Sequence, residues 1–113
     1  MNETIKRIYV PMTETGFYIL YCLQEPMHGY SIGQKVQLMT DNQINIAPGT
    51  MYGTLAKMEK DGLISFVRKE ENRKLYKITE LGKEVLDIEI KRIERLYKNS
   101  MGVSLSDQNN TQI

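Results

Sequence analysis

The sequence predicts a mainly α-helical domain that carries one two-stranded β-hairpin and ends in a long helix. Apolar residues recur at helical spacing between positions 13 and 62, and the period then shortens to that of β-strands between 63 and 79. Helical spacing returns from 80 to 102. Three helices followed by a short hairpin form the layout of a winged helix-turn-helix, and the final helix extends beyond it.

The first two helices are bounded by residues that favour helix ends. One is expected between Thr13, whose hydroxyl can cap free backbone N–H groups, and Pro26, which cannot continue a helix. The next is expected from His28 to about Met39, before a polar loop. Its apolar side should consist of residues at roughly helical spacing, namely Tyr30, Ile32, Val36 and Met39.

The third helix and the hairpin follow from local signals. Pro48 lacks an N–H group and suits a first helical turn, and Gly62 suits the C-terminal end. The inward face of this helix should carry Met51, Leu55 and Met58. Segments 63–69 and 74–79 are rich in β-favouring residues, and Glu71-Asn72 between them predicts a tight turn.

The last helix carries two apolar stripes where a helix packed on one domain needs only one. On a wheel of about 100° per residue, the first stripe contains Leu81, Val85, Ile88 and Leu96. The second has the coiled-coil spacing of four, three and four, and contains Leu86, Ile90, Ile93 and Tyr97. The second stripe predicts a homodimer interface. We therefore expect a winged domain over 1–79 with the segment 1–12 at its flank, a dimerisation helix over 80–102, and a disordered tail over 103–113.

The composition argues against catalysis and metal binding. Cys22 is the single cysteine of the 113 residues, so neither an intramolecular disulfide nor a cysteine-based metal cluster can form. His28 is the only histidine and should cap a helix or pack. The sequence shows no nucleophile elbow, phosphate-binding glycine loop or paired catalytic carboxylates. We expect no enzyme activity, no metal and no cofactor. No apolar stretch reaches the ~20 residues that cross a bilayer, and the first residues lack a signal core, so we expect a cytoplasmic protein without membrane contact.

The net charge of +1 is unevenly distributed and favours a nucleic acid partner. Residues 47–79 contain seven basic and four acidic side chains, an excess of three, whereas residues 13–46 contain one basic and three acidic. A local positive excess attracts phosphate even when the total charge is near zero. A winged-helix module that binds proteins and not DNA is the alternative, but such a surface would more often expose apolar anchors.

The outward face of the third helix predicts the DNA contacts. With the inward positions assigned, the outward ones are Thr50, Gly53, Thr54 and Lys57. The N-terminal part of a recognition helix meets base edges and phosphates, and Gly53 leaves the helix surface low enough for close approach. An ordinary solvated helix face is the alternative.

The hairpin also carries cations on both sides of its turn, Arg68, Lys69, Arg73 and Lys74. Cations on a wing contact backbone phosphate or the minor groove. The tip, residues 70–72, contains two glutamates, so insertion into the minor groove is disfavoured. We expect phosphate contacts from Arg73 and Lys74, with a solvated hairpin as the alternative.

Four fragments stand in order along the chain: Met27-His28-Gly29-Tyr30, then residues 48–52, 57–64 and 73–82. Together they resemble the successive signatures of the PadR-like family of transcriptional regulators, over roughly residues 12–100. The resemblance implies a repressor that dimerises through its last helix, binds a double-stranded operator with an inverted repeat, and in some members is released by a small aromatic or drug-like effector. It also implies that Tyr52 lies at the DNA face. The residues alone allow either a phosphate contact by its hydroxyl or a half-buried ring beside the second helix.

Aromatic residues on the first and last helices predict an effector cavity between the last helix and the first helix of the partner. They are Phe17, Tyr18, Tyr21 and Tyr97. Rigid aromatic rings suit a planar apolar ligand. The alternative is that these rings fill the dimer core completely.

Overall fold

Five helices and one antiparallel hairpin make up the computed structural model, which describes residues 3–102. In chain order they are α1 (Glu3–Tyr9), α2 (Glu14–Cys22), α3 (Gly29–Met39), α4 (Pro48–Lys60), β1 (Ile64–Glu70), β2 (Arg73–Ile78) and α5 (Glu80–Ser100). Helices α2 to α4, the hairpin and α5 confirm the predicted winged helix-turn-helix with a long last helix. The predicted disordered tail, 103–113, lies outside the described residues.

The helix ends lie where the capping residues place them. Thr13, His28 and Thr79 each accept a hydrogen bond from the backbone N–H three residues later, at 3.0, 3.3 and 3.1 Å. Helix α4 begins directly at Pro48 without a side-chain cap. Gly62 follows α4 at a φ of +83°, in the left-handed region that glycine adopts freely. The predicted capping role of His28 and the predicted end of α4 are confirmed.

The hairpin forms the wing and is attached to the helices through its backbone. Strand β1 pairs antiparallel with β2, and the two turn residues, Glu71 and Asn72, both have positive φ, as a tight two-residue hairpin turn requires. Met27, between α2 and α3, exchanges two backbone hydrogen bonds of 3.1 and 3.0 Å with Tyr76. These bonds hold the wing beside the start of α3.

The core lies where α2, α3, α4, the strands and the first part of α5 meet. The predicted inward residues of α4 are confirmed, and Cys22 is buried in the same core. The predicted apolar side of α3 is wrong at two positions. Tyr30 is 55% exposed because it lies on the opposite side of the helix from Ile32. Met39 is also exposed because it is the last residue of the helix.

Residues 3–9, expected only as a flank of the winged domain, form the additional helix α1. A helix of seven residues is marginal on its own and needs tertiary contacts. Ile5 and Tyr9 supply these contacts, because both side chains are buried in the core. The first predicted helix is therefore the second helix of the structure.

Helix α5 does not divide into the two predicted stripes. Val85 and Leu86, one from each stripe, are both buried in the core of their own chain. Leu86 is only 4% exposed and has little surface left for the predicted subunit interface. From Ile90 onward the large apolar side chains of α5 are exposed. None of the described helices is long and apolar enough to cross a membrane.

Candidate nucleic-acid interface

The exposed face of α4 carries little side-chain volume between residues 49 and 56. Gly49, Gly53 and Ala56 are spaced by four and three residues, so they lie on one face, and all three are exposed. A Cβ atom added to either glycine would meet no atom within 4 Å. Glycine in a helix costs about 1 kcal/mol relative to alanine. Because an alanine at either position would crowd no neighbouring atom, packing within this chain does not explain the glycines. We call these three residues the small-residue strip.

The predicted contact residues of α4 lie on or beside this strip. Gly53 belongs to it, and Lys57 is exposed next to it, as is Lys60, which the sequence prediction omits. Thr50 and Thr54 lie on one flank, where they line a cleft with residues of α1 and the start of α2. The sequence also predicts an exposed position for Gly49, Ala56 and Lys60. They lie opposite the centre of the helical arc formed by the buried residues Met51, Leu55 and Met58.

Tyr52 packs beside α3, which is one of the two alternatives that the sequence allows, and its phosphate contact stays a prediction. Its ring packs beside α3 so closely that a Cβ on Gly29 would lie 2.8 Å from Tyr52 Cε1. More than half of the residue is nevertheless exposed. Tyr52 therefore rests on the start of α3 and presents its remaining surface on the same side of the protein as the wing.

The wing cations converge on Tyr52 and α3. Lys69, Arg73 and Lys74 line a cleft of about 330 Å³ together with Tyr52. The Arg73 guanidinium lies 4.9 Å from the ring centroid of Tyr30, within the range of a cation–π contact. Tyr30 was not predicted as a site residue. Arg68 instead forms an ion pair with Glu70 at the acidic tip of the wing, with 2.8 Å between Arg68 Nε and Glu70 Oε2.

A second cleft, of about 430 Å³, lies between α2 and α5. Phe17 and Tyr18, two of the predicted effector residues, line it with Ile90 and Ile93. Tyr21 stacks against Phe17 with ring centroids 6.1 Å apart. The fourth predicted residue, Tyr97, is 63% exposed and is not among the residues that line this cleft.

Glu89 forms a polar contact in this cleft that the sequence does not signal. Its side chain is fully buried and accepts hydrogen bonds from the Met12 backbone N–H at 2.7 Å and from Arg92 Nε at 2.8 Å and Nη2 at 3.1 Å. Burial raises the pKa of the Glu89 carboxyl, but the hydrogen bonds from Arg92 and Met12 outweigh this effect and lower it. The ionised carboxylate thus joins the segment before α2 to α5.

Comparison with known proteins agrees with this geometry. The sequence profile of the transcriptional regulator PadR-like family matches residues 19–88, from α2 into α5. The chain belongs to the PadR-like family. This assignment confirms the resemblance seen in the four sequence fragments. Because the family consists of transcriptional regulators, the assignment also confirms the prediction that this chain is a regulator and not an enzyme.

Several solved structures share the PadR-like fold. A transcriptional regulator from Clostridium thermocellum is 28% identical with a TM-score of 0.67, covering 88% of this chain and 95% of that one. A PadR family transcription regulator from Clostridium difficile is 27% identical with a TM-score of 0.62, covering 79% and 98%. A PadR-like regulator from Bacillus cereus, 22% identical with a TM-score of 0.68, covers 96% and 100% and supports the fold alone.

Two curated relatives of this PadR-like chain are uncharacterised. A Lysinibacillus sphaericus protein is 33% identical over an alignment of 89 residues, and the match covers 70% of this chain and 82% of that protein. A 37.1 kDa protein in transposon TN4556 of Streptomyces fradiae is 28% identical over 71 residues, or 63% of this chain. The match covers only 20% of the Streptomyces protein, so this chain spans a small part of that relative.

Proposed function

We propose that this PadR-like regulator is a homodimer that represses nearby genes by placing α4 in the major groove of an operator with an inverted repeat. The small-residue strip carries this proposal. A helix with its side chains is about 10–12 Å wide and nearly fills a major groove of about 12 Å. Gly49, Gly53 and Ala56 let the α4 backbone approach the base edges more closely than larger side chains would.

The charges around the strip support DNA as the occupant. Lys57 and Lys60 are exposed on α4, and Arg73 and Lys74 are exposed on the wing. Phosphate contacts set the position of a protein on the duplex, whereas contacts to base edges set its sequence preference. In this proposal the four cations and Tyr52 bind phosphates, while Thr50 and Thr54 face the groove from the flank of the strip.

The exposed part of α5 supports a homodimer. Its exposed apolar residues are Ile90, Ile93, Leu96, Tyr97 and Met101. Contiguous exposed apolar surface marks a contact with another molecule. In this proposal a second copy covers Ile90, Ile93 and Tyr97, with Leu96 added to the predicted set and Leu86 removed from it. A two-fold dimer places two copies of α4 on half-sites about 34 Å apart, or a small multiple of it.

The cleft between α2 and α5 is the proposed site of a small aromatic effector. Its volume of about 430 Å³ falls within the usual range for small-molecule sites. Ile90 and Ile93 line the cleft and also belong to the proposed dimer surface, so a ligand here would touch the interface. A ligand would release the protein from DNA only if it bound more tightly to a dimer whose two α4 helices do not match the spacing of the operator half-sites. Titration with planar aromatic compounds, followed by tyrosine fluorescence and operator release, tests this part.

A salt titration with a matched control tests DNA binding by α4. We expect Lys57→Met to lower affinity for the upstream region and to reduce the slope of log affinity against log salt by about one. Lys91→Met is the control, because Lys91 is exposed on α5 and pairs with Asp87 at 3.1 Å. Equal slopes for the Lys57→Met, Lys91→Met and wild-type proteins would contradict α4 as the DNA surface. A protein that prefers no DNA at any salt concentration would instead support a protein-interaction module.

A further inference from the structure

Lys57 lies in a closed cluster with Tyr9 and Asp61. Its Nζ atom is 3.3 Å from Asp61 Oδ2 and 5.5 Å from the ring centroid of Tyr9. The Tyr9 hydroxyl donates a 2.8 Å hydrogen bond to the same Oδ2 atom. Lys57 therefore shares one carboxylate oxygen with Tyr9 of α1, which lies 52 positions before Asp61 in the chain.

The carboxylate is more deeply buried than the cation that it contacts. Tyr9 is buried, and the side chain of Asp61 is 18% exposed against 57% for Lys57. The hydrogen bond from Tyr9 and then the contacts from Lys57 lower the pKa of the Asp61 carboxyl, so it is ionised at neutral pH. Burial and the bond to Asp61 raise the pKa of Tyr9, so its hydroxyl keeps the proton that it donates.

This arrangement has a direct consequence for phosphate binding. A DNA phosphate that approaches Lys57 must compete with Asp61 for the ammonium group, and it is repelled by the same carboxylate. The Tyr9 hydroxyl offsets part of the Asp61 charge, because it donates to the oxygen that Lys57 contacts. Loss of the hydroxyl would leave the Lys57 ammonium without a competing donor at that oxygen and would strengthen the internal pair.

We propose that Asp61 and Tyr9 are positioning residues that set the strength of the Lys57 contact with DNA, Asp61 by restraining the lysine and Tyr9 by weakening that restraint. The proposal rests on the proposed binding of DNA by α4. It gives the additional helix α1 a role at the DNA surface, because α1 supplies the hydroxyl that adjusts a cation of the recognition helix. A purely structural role would affect folding without acting through Lys57.

A double-mutant cycle separates these roles. Tyr9→Phe and Asp61→Asn are made in the wild-type and Lys57→Met backgrounds, and operator affinity is measured at several salt concentrations. We expect Asp61→Asn to tighten binding and Tyr9→Phe to weaken it, each by about two- to fivefold, the change that corresponds to an exposed ion pair. Both effects should be smaller in the Lys57→Met background, because only the direct repulsion of phosphate by Asp61 remains there. Asp87→Asn is the control for the loss of one negative charge, because Asp87 also pairs with a lysine four residues away, Lys91 of α5.

Each outcome of this experiment is decisive. Equal effects in both backgrounds, or an Asp61→Asn gain no larger than that of Asp87→Asn, would overturn the proposal. Thermal unfolding shows whether the Tyr9→Phe protein folds. If it does not fold, the effect of Asp61→Asn in the wild-type and Lys57→Met backgrounds tests the proposal. Failure of the wild-type protein to prefer its operator over scrambled DNA would overturn the proposed function itself, and this result is obtained before any variant is made.

Discussion

Replacement of Gly53 by alanine should stabilise the fold and weaken operator binding at the same time. The added Cβ meets no atom within 4 Å, so nothing in the chain opposes the intrinsic helical preference for alanine. That preference is about 1 kcal/mol in a helix interior. For a domain of this size it corresponds to a rise in Tm of roughly 4–8 °C. A methyl group forced into a close contact costs about 1–3 kcal/mol, so operator affinity should fall by roughly 5- to 150-fold.

Gly33→Ala provides the matched control. Gly33 lies within α3, and a Cβ there would lie 3.9 Å from Met51 Cε, an ordinary packing distance. This variant should gain similar stability and keep its operator affinity. Thermal unfolding and fluorescence anisotropy with a labelled operator measure the two effects. A Gly53→Ala protein that is stabilised and binds as tightly as the wild type would refute close approach of the small-residue strip to DNA.

Two further predictions concern α5. Ile90→Asp would place a charge in the proposed apolar interface, so we expect a monomer in sedimentation and a loss of operator affinity. Lys91→Asp should stay dimeric, and a dimeric Ile90→Asp protein would place the interface elsewhere. Glu89→Gln should lower the free energy of unfolding by about 2–3 kcal/mol at neutral pH, because hydrogen bonds to a buried charge are lost. Folding lowers the pKa of the Glu89 carboxyl, so its stabilising contribution is complete above the ordinary pKa of 4.5 and is lost as the pH falls through the lower pKa of the folded state. Denaturant unfolding across this acidic range should therefore show a smaller loss of stability for Glu89→Gln than for the wild type, and parallel curves would contradict this assignment.

Local signals made most of the winged domain predictable. Pro48 and Gly62 bound α4 through backbone properties that depend on these residues alone, and the spacing of Met51, Leu55 and Met58 identifies its inward face. The hairpin turn at residues 71–72 follows from two residues that tolerate a positive φ. These features need no information about distant parts of the chain.

The remaining features depend on contacts between distant residues. Tyr9 and Asp61 are 52 positions apart, and nothing near Tyr9 in the sequence indicates that α1 forms against the core. Glu89 resembles the exposed glutamates of α5 until the backbone of Met12 is placed beside it. A helical wheel also cannot show how far a domain extends along a helix. For this reason the helical wheel places Leu86 in the subunit interface, although Leu86 packs in the core of its own chain.

A hydroxyl-radical footprint on the DNA upstream of the gene tests the central proposal most directly. A two-fold dimer with α4 in the major groove should protect two half-sites related by an inverted repeat, on one face of the duplex, with centres about 34 Å or a small multiple apart. Protection should disappear in the Lys57→Met protein at a salt concentration that leaves the Lys91→Met footprint intact. Protection of a single unpaired site, or no preference for this region over random DNA, would contradict the account.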